Sequence, residues 1–229
     1  MKNSVLFVFI ILTFFSINAN SAFAKKTKPF PLEKGNEWVY EGVHKFTGDK
    51  GVQSRTVKFS MKVKEVVKKG AYKLALVENF PSALCWNDEL SGNRNSLLVI
   101  KNNKQVFLIF DSAAVANYPK TPVKKLVENG ELILDFPLTE GKQFGFMENV
   151  KRIDKFFCWV VDSVKRENPT DIQGIEKDRQ YLKAALSYNT APDTRLCSFI
   201  EGVGICSYEY VHHGTIEELR LKLTAVKLK

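Results

Sequence analysis

The chain reads as a mainly β protein, an antiparallel meander that curls into a barrel or curved half-barrel and carries one or two short helices. Three observations predict this. A corner motif occurs twice: Phe30-Pro31-Leu32-Glu33-Lys34-Gly35-Asn36-Glu37-Trp38-Val39-Tyr40 returns 106 residues later as Phe136-Pro137-Leu138-Thr139-Glu140-Gly141-Lys142-Gln143-Phe144-Gly145-Phe146. Period-two alternation is widespread, clearest where Val57, Phe59, Met61 and Val63 interleave with Lys58, Ser60, Lys62 and Lys64. Short turn signals then separate the apolar runs, and serial short connections favour antiparallel neighbours.

In the corner motif, Pro31 and Pro137 hold the preceding Phe extended. Gly35 and Gly141 permit a turn that a residue with a Cβ resists. The aromatics that follow, beginning with Trp38 and Phe144, recur at i and i+2 and so share one face of a strand. The motif is architectural.

From the first corner, Trp38–Phe46 is a strand, and Gly48-Asp49-Lys50-Gly51 turns it into the alternating lysine-rich strand. Lys68-Lys69-Gly70 leads to a third strand, Tyr72–Val77, and Asn79–Arg94 is a long loop holding Pro81, Cys85 and Trp86. Leu97–Ile100 and Val106–Phe110 flank Lys101-Asn102-Asn103-Lys104, a hairpin signal because Asn tolerates positive φ. Asp111–Tyr118 is a candidate helix stopped before Pro119. A second is expected over Thr121–Asn129, with Thr121 as N-cap and Pro122 at the first helical position. Glu131–Phe136 leads into the second corner, and Phe156–Val164 is predicted as a strand. Tyr181–Tyr188 suits strand or helix by composition and is assigned to strand from its neighbours. A hairpin of Cys197–Ile200 and Val203–Val211 follows, and Leu219, Leu221 and Leu223 mark the last strand. The total is about ten strands. Outside the corner motif the two halves do not align in letters.

The N-terminus has Lys2, an apolar run from Val5 to Ile17 and the small-residue site Ala22-Phe23-Ala24. That is the pattern of a secretory signal peptide, with cleavage after Ala24. The run is short of the roughly 20 residues needed to span a bilayer, and no Cys stands near the site for lipid attachment. The expectation is a signal peptide over 1–24 and one exported β-rich domain over 25–229, periplasmic or extracellular, without a transmembrane segment. Removing the signal takes one Lys and no acid, leaving 205 residues and a formal charge of +8 from the full chain's +9. Such a basic protein suits anionic lipid headgroups or cell-wall polymers. No nucleic-acid recognition motif accompanies the charge, and the lysines read most simply as the wet face of a sheet.

Cys85, Cys158, Cys197 and Cys206 all lie in the exported part, and an even count there suggests two disulfides. A two-residue turn at Glu201-Gly202 would oppose Cys197 and Cys206 across a hairpin, at a spacing a disulfide tolerates. Cys85 and Cys158 are then paired by elimination.

The opening Phe30-Pro31-Leu32-x-x-Gly35-Asn36-x-Trp38-x-Tyr40 and the late Gly202-Val203-Gly204 resemble a broad group of uncharacterised bacterial exported proteins. In architecture that group is similar to curved-sheet envelope proteins such as the periplasmic lipoprotein carriers. The resemblance implies a β-rich exported fold and transfers no site residue.

Common catalytic patterns are missing from the sequence: there is no G-x-S-x-G elbow, H-E-x-x-H, P-loop or complete G-x-G-x-x-G. His212 and His213 are adjacent and would face opposite ways on a strand. In a turn, His213 with Glu217 or Glu218 is a zinc candidate, weaker than a structural reading. Cys158 beside Trp159 and Cys85 beside Trp86 are nucleophiles in principle. No catalytic, cofactor or metal residue is assigned.

Three functions stay open. The first is a non-catalytic protein holding an apolar or lipid-like ligand on its concave face, supported by 12 Phe, 3 Trp and 7 Tyr after cleavage. The second is an envelope interaction module that uses a basic face or a strand edge to bind another envelope protein. The third is a hydrolase assembled from distant residues. A wide apolar cavity favours the first, a filled interior the second, and clustered titratable groups with shifted pKa the third.

Overall fold

The two corners open two meanders of six strands each. The structure, a computed structural model, describes residues 28–85, 94–147 and 150–229, so the signal-peptide assignment over 1–24 and Trp86 lie outside the described residues. The first meander runs β1 (Glu37–Gly48), β2 (Gly51–Lys69), β3 (Tyr72–Glu78), β4 (Asn95–Lys101), β5 (Gln105–Ile109), helices α1 (Ser112–Asn117) and α2 (Val123–Glu128), and β6 (Glu131–Asp135). The second runs β7 (Gln143–Phe144), β8 (Trp159–Glu167), β9 (Tyr181–Asn189), β10 (Asp193–Ile200), β11 (Gly204–His212) and β12 (Glu217–Lys227). All twelve strands form one antiparallel sheet in the order β6-β5-β4-β3-β2-β1-β12-β11-β10-β9-β8-β7. The protein is therefore mainly β, a nearly closed barrel with two short α-helices.

Closure comes from the ends of the chain. β12 pairs along β1 from Glu37↔Lys227 to Phe46↔Glu217, with one bulge between Val39 and Tyr40. Gly42 is required there, because a Cβ would lie 1.8 Å from the Arg220 carbonyl oxygen. The barrel stops one ladder short on the opposite side, where β6 and β7 are the two edges.

Both corners dock in the same way. Gly35 donates its N–H to the Val63 carbonyl (2.9 Å), and Val63 donates back to Asn36 (3.0 Å). Gly141 donates to Val161 (2.8 Å), and Val161 donates back to Lys142 (2.9 Å). Gly35 and Gly141 sit at φ +86° and +80°, where a side chain is strained. Immediately past each valine the ladder slips by one residue, at Val63/Glu65 and Val161/Ser163. Such bulges bend a strand and increase its twist. Trp38 and Phe144, the first aromatic after each corner, are buried.

The inward phase of the alternation fills the barrel. Phe30 and Phe136 both pack on Phe199, at ring distances of 5.4 and 5.3 Å. Trp38 Nε1 donates to the Val203 carbonyl (2.7 Å) and the Tyr40 hydroxyl to the Ile205 carbonyl (2.8 Å), crossing from β1 to the β10–β11 hairpin. The helices lie outside the barrel. Val115, Tyr118 and Leu126 cover the outer face of β3–β5 at Leu74, Leu97, Val99, Phe107 and Ile109. That accounts for the nearly unbroken apolar runs of β4 and β5, which are buried on both faces.

Four expectations are corrected. The second helix has Pro122, not Thr121, at its N-cap; Thr121 donates its hydroxyl to Asn117 instead. Phe156-Phe157-Cys158 is not strand, because Lys155 and Phe157 take positive φ (60° and 58°) and β8 starts only at Trp159. The cysteine hairpin turns through three residues, closing at Ile200↔Gly204, and a bulge follows between Ser198 and Phe199. Cys197 consequently faces Tyr208 rather than Cys206. Cys85, Cys158, Cys197 and Cys206 are all free thiols, so neither predicted disulfide is present.

Candidate functional site

The barrel interior is closely packed among the described residues. Beneath Phe80, between Leu108, Ile133, Leu134, Ile205 and Tyr208, the remaining apolar void is about 20 Å³. That is the room of one water, against the 300 Å³ or more of a usual ligand pocket. This void, among the described residues, is too small for an acyl chain.

The lysine-rich face is also less available than its sequence implies. Lys58 pairs with Glu41 at 2.6 Å, Lys62 with Glu37 at 3.3 Å and Lys64 with Glu78 at 3.4 Å. Carboxylates on neighbouring strands neutralise the row.

A concave site does exist at the seam. Where β6 and β7 fail to pair, a cleft of about 950 Å³ opens between them. Its walls include Phe107, Leu132, Phe144, Phe146 and Tyr188, with Glu128, Asp135 and Gln143 among the polar groups. At its floor Arg195 pairs with Glu131 at 2.8 Å. The guanidinium stacks 4.0 Å over Tyr188 and 5.3 Å from Trp159, and Trp159 Nε1 donates to the same carboxylate at 3.2 Å. Arg195 is thus held by a charge partner and two rings in a largely desolvated position, a geometry that suits guanidinium. The Gln143 Oε1 is buried and accepts no hydrogen bond among the described residues. The lips approach closely at Gly145 (φ +65°), where a Cβ would fall 2.4 Å from the Leu132 carbonyl oxygen.

Sequence reasoning names Phe144 in the second corner motif, but it assigns none of these residues to a cleft. A usable signal was present: Arg195 shares the inward phase of β10 with Cys197 and Phe199. His44 is a similar case, on the buried phase of β1 with Trp38, Tyr40 and Phe46. Its Nε2 meets Glu217 at 2.7 Å and its Nδ1 meets Arg55 at 3.0 Å. A polar residue on an apolar phase is the mark of a buried ionic network.

The other candidates stand apart from the cleft. His213 contacts Thr194 at 3.0 Å, while Glu217 pairs with His44 and Glu218 with Lys45 at 3.3 Å, so the proposed zinc set is not assembled. Among the described residues no group of three or more His, Cys, Asp or Glu is placed to hold a metal ion. Burial pushes the Cys85 thiol up to about 12, with the charge of Glu217 adding to it, and pushes Cys206 up to about 11. Burial raises Cys197 as well. An activated nucleophile needs the opposite shift.

No protein-family model matches the chain, and no curated protein matches it. Solved structures similar to it include two crystal structures. One is a Bacteroides fragilis NCTC 9343 protein assigned as exported, with a YMCC-like fold; it is 8% identical over 88% of this chain and 99% of that one, with a TM-score of 0.43. The other is a protein of Parabacteroides distasonis ATCC 8503 assigned as a lipoprotein, 15% identical over 88% and 99%, with a TM-score of 0.38.

Proposed function

We propose that this chain is an exported, non-catalytic interaction module of the cell envelope that takes an extended polypeptide segment of a partner at the β6–β7 seam. The observation that carries the proposal is a barrel filled inside yet left unpaired along one seam. Unpaired strand edges present rows of N–H and C=O groups that pair with added chain. The cleft beside these edges has aromatic walls for side chains. In Gln143 Oε1 it has an acceptor without a donor among the described residues. Export rests on the signal pattern of residues 1–24.

Selection of a random 12-residue peptide library on the mature domain tests the reading. Peptides that bind saturably should lose at least tenfold in affinity when Glu128 or Gln143 is replaced by Trp, which narrows the cleft from either lip. Selected peptides that bind both variants as well as wild type would refute the seam as their site. Failure to select any would refute the module.

A further inference from the structure

Antiparallel topology sends alternate connections to opposite ends of the barrel. Both corners, the β10–β11 hairpin and Lys229 lie at one end. The β1–β2 tip, the β5–α1 connection and the β7–β8 loop lie at the other. Apolar exposure is concentrated at that second end. Of the nine large hydrophobic residues exposed among the described residues, six are there: Val52, Phe110, Met147, Val150, Ile153 and Phe156. Ile153 is fully exposed.

The loop from Val150 to Phe157 presents three of them, Val150, Ile153 and Phe156, in a fixed shape. Its base is tied by Met147 N–H to the Phe157 carbonyl (2.9 Å) and by Phe157 N–H to Asn189 (2.8 Å). Asp154 accepts from the Phe156 N–H (3.1 Å) and pairs with Arg152 at 2.6 Å. Lys155 and Phe157 hold positive φ, a conformation rare for long or aromatic side chains. The result is that Ile153 and Phe156 stand in solvent beside cations. Lys151, Arg152 and Lys155 flank them, and Asp154 is the loop's acid from 150 to 157. Lys151 and Lys155 make no ion pair among the described residues, whereas Lys58, Lys62 and Lys64 on β2 do.

Exposed aliphatic and aromatic side chains among cations, two of them without an ion pair among the described residues, are complementary to one surface in particular, the interface of an anionic bilayer. Apolar tips enter the acyl boundary while the cations meet headgroup phosphates. We propose that residues 150–157 form a membrane-docking element that seats this end of the barrel on an anionic lipid surface. The inference is independent of the seam and of any peptide bound there.

Flotation of the mature protein with vesicles is the test, comparing neutral phosphatidylcholine with a mixture containing phosphatidylglycerol. Wild type should float with the anionic vesicles, bind neutral ones more weakly, and release as salt is raised. Ile153→Asp should weaken binding at least tenfold. Lys151→Ala with Lys155→Ala should weaken it by about thirtyfold, from roughly fivefold per cation. These positions are exposed, so the variants should fold, and circular dichroism verifies that. Lys58→Ala, on the paired lysine face, should bind as wild type. Ile153→Trp should shift more of its emission to the blue on anionic vesicles than wild type does. No flotation of wild type overturns the proposal, as does equal flotation of wild type and Ile153→Asp. Concentration-dependent dimerisation abolished by Ile153→Asp, without flotation, would assign the loop to a second copy of the chain and also overturn it.

Discussion

At the scale of single residues, the strongest constraints are polar groups on apolar phases. Glu131 serves both Arg195 and Trp159 at the cleft floor. Glu131→Ala leaves a mostly buried guanidinium without its partner and should cost roughly 2–3 kcal/mol, below the full penalty for a wholly buried pair because the site is partly wet. Urea unfolding measures it, and Glu131→Gln should cost less. The cysteines give a second prediction. Peptide mapping without reductant should find Cys85, Cys158, Cys197 and Cys206 unlinked, and they should alkylate slowly until the protein is unfolded. Their pKa values also set a pH dependence. An unfolded thiol titrates near 9, whereas Cys85 and Cys206 in the folded chain titrate near 12 and 11. A folded pKa raised in this sense gives stability that is present below pH 9 and lost as pH rises through the folded values. Urea midpoints should therefore fall between about pH 9 and 12; a flat profile there would contradict the burial of these thiols.

At the scale of elements, the corners explain why one short motif recurs. Each presents a glycine N–H to a valine carbonyl and takes the valine N–H in return, just where the receiving strand bulges. Gly35→Val and Gly141→Val should each destabilise by about 1–2 kcal/mol or more, since Val is forced into positive φ; unchanged melting in both would remove the corners from the account. Period-two alternation made most strands legible, because one wet face and one dry face leave their record in letters; Tyr181–Tyr188, ambiguous by composition, was legible only from its neighbours, and it is strand β9. Register was not legible in the same way. Whether Cys197 meets Cys206 or Tyr208 depends on one extra turn residue and one bulge, and neither has a distinct composition. The Phe156-Phe157-Cys158 run misleads for a related reason: its apolarity is that of strand, yet two residues in positive φ make it a loop.

At the scale of the whole molecule, the chain encloses most of its aromatics. The load of Phe, Trp and Tyr that suggests a ligand cavity is consumed by packing across a twelve-stranded barrel, with the helices covering the outer face instead of lying within it. Composition cannot distinguish a lined cavity from a filled one, since both need the same residues; only the curvature of the closed sheet decides. Titration with a fluorescent fatty acid should consequently show no saturable micromolar binding to the mature domain in solution. The seam was equally hidden, because it follows from β12 reaching β1 while the two-residue β7 does not reach β6. The most direct test of the central claim is backbone hydrogen exchange on the mature domain with and without a selected 12-residue peptide. The account predicts slowed exchange in Leu132–Asp135 and Gln143–Phe144, with Val57–Lys64 unaltered. Protection confined to the lysine-rich strand, with the seam segments exchanging as in the free protein, would contradict it.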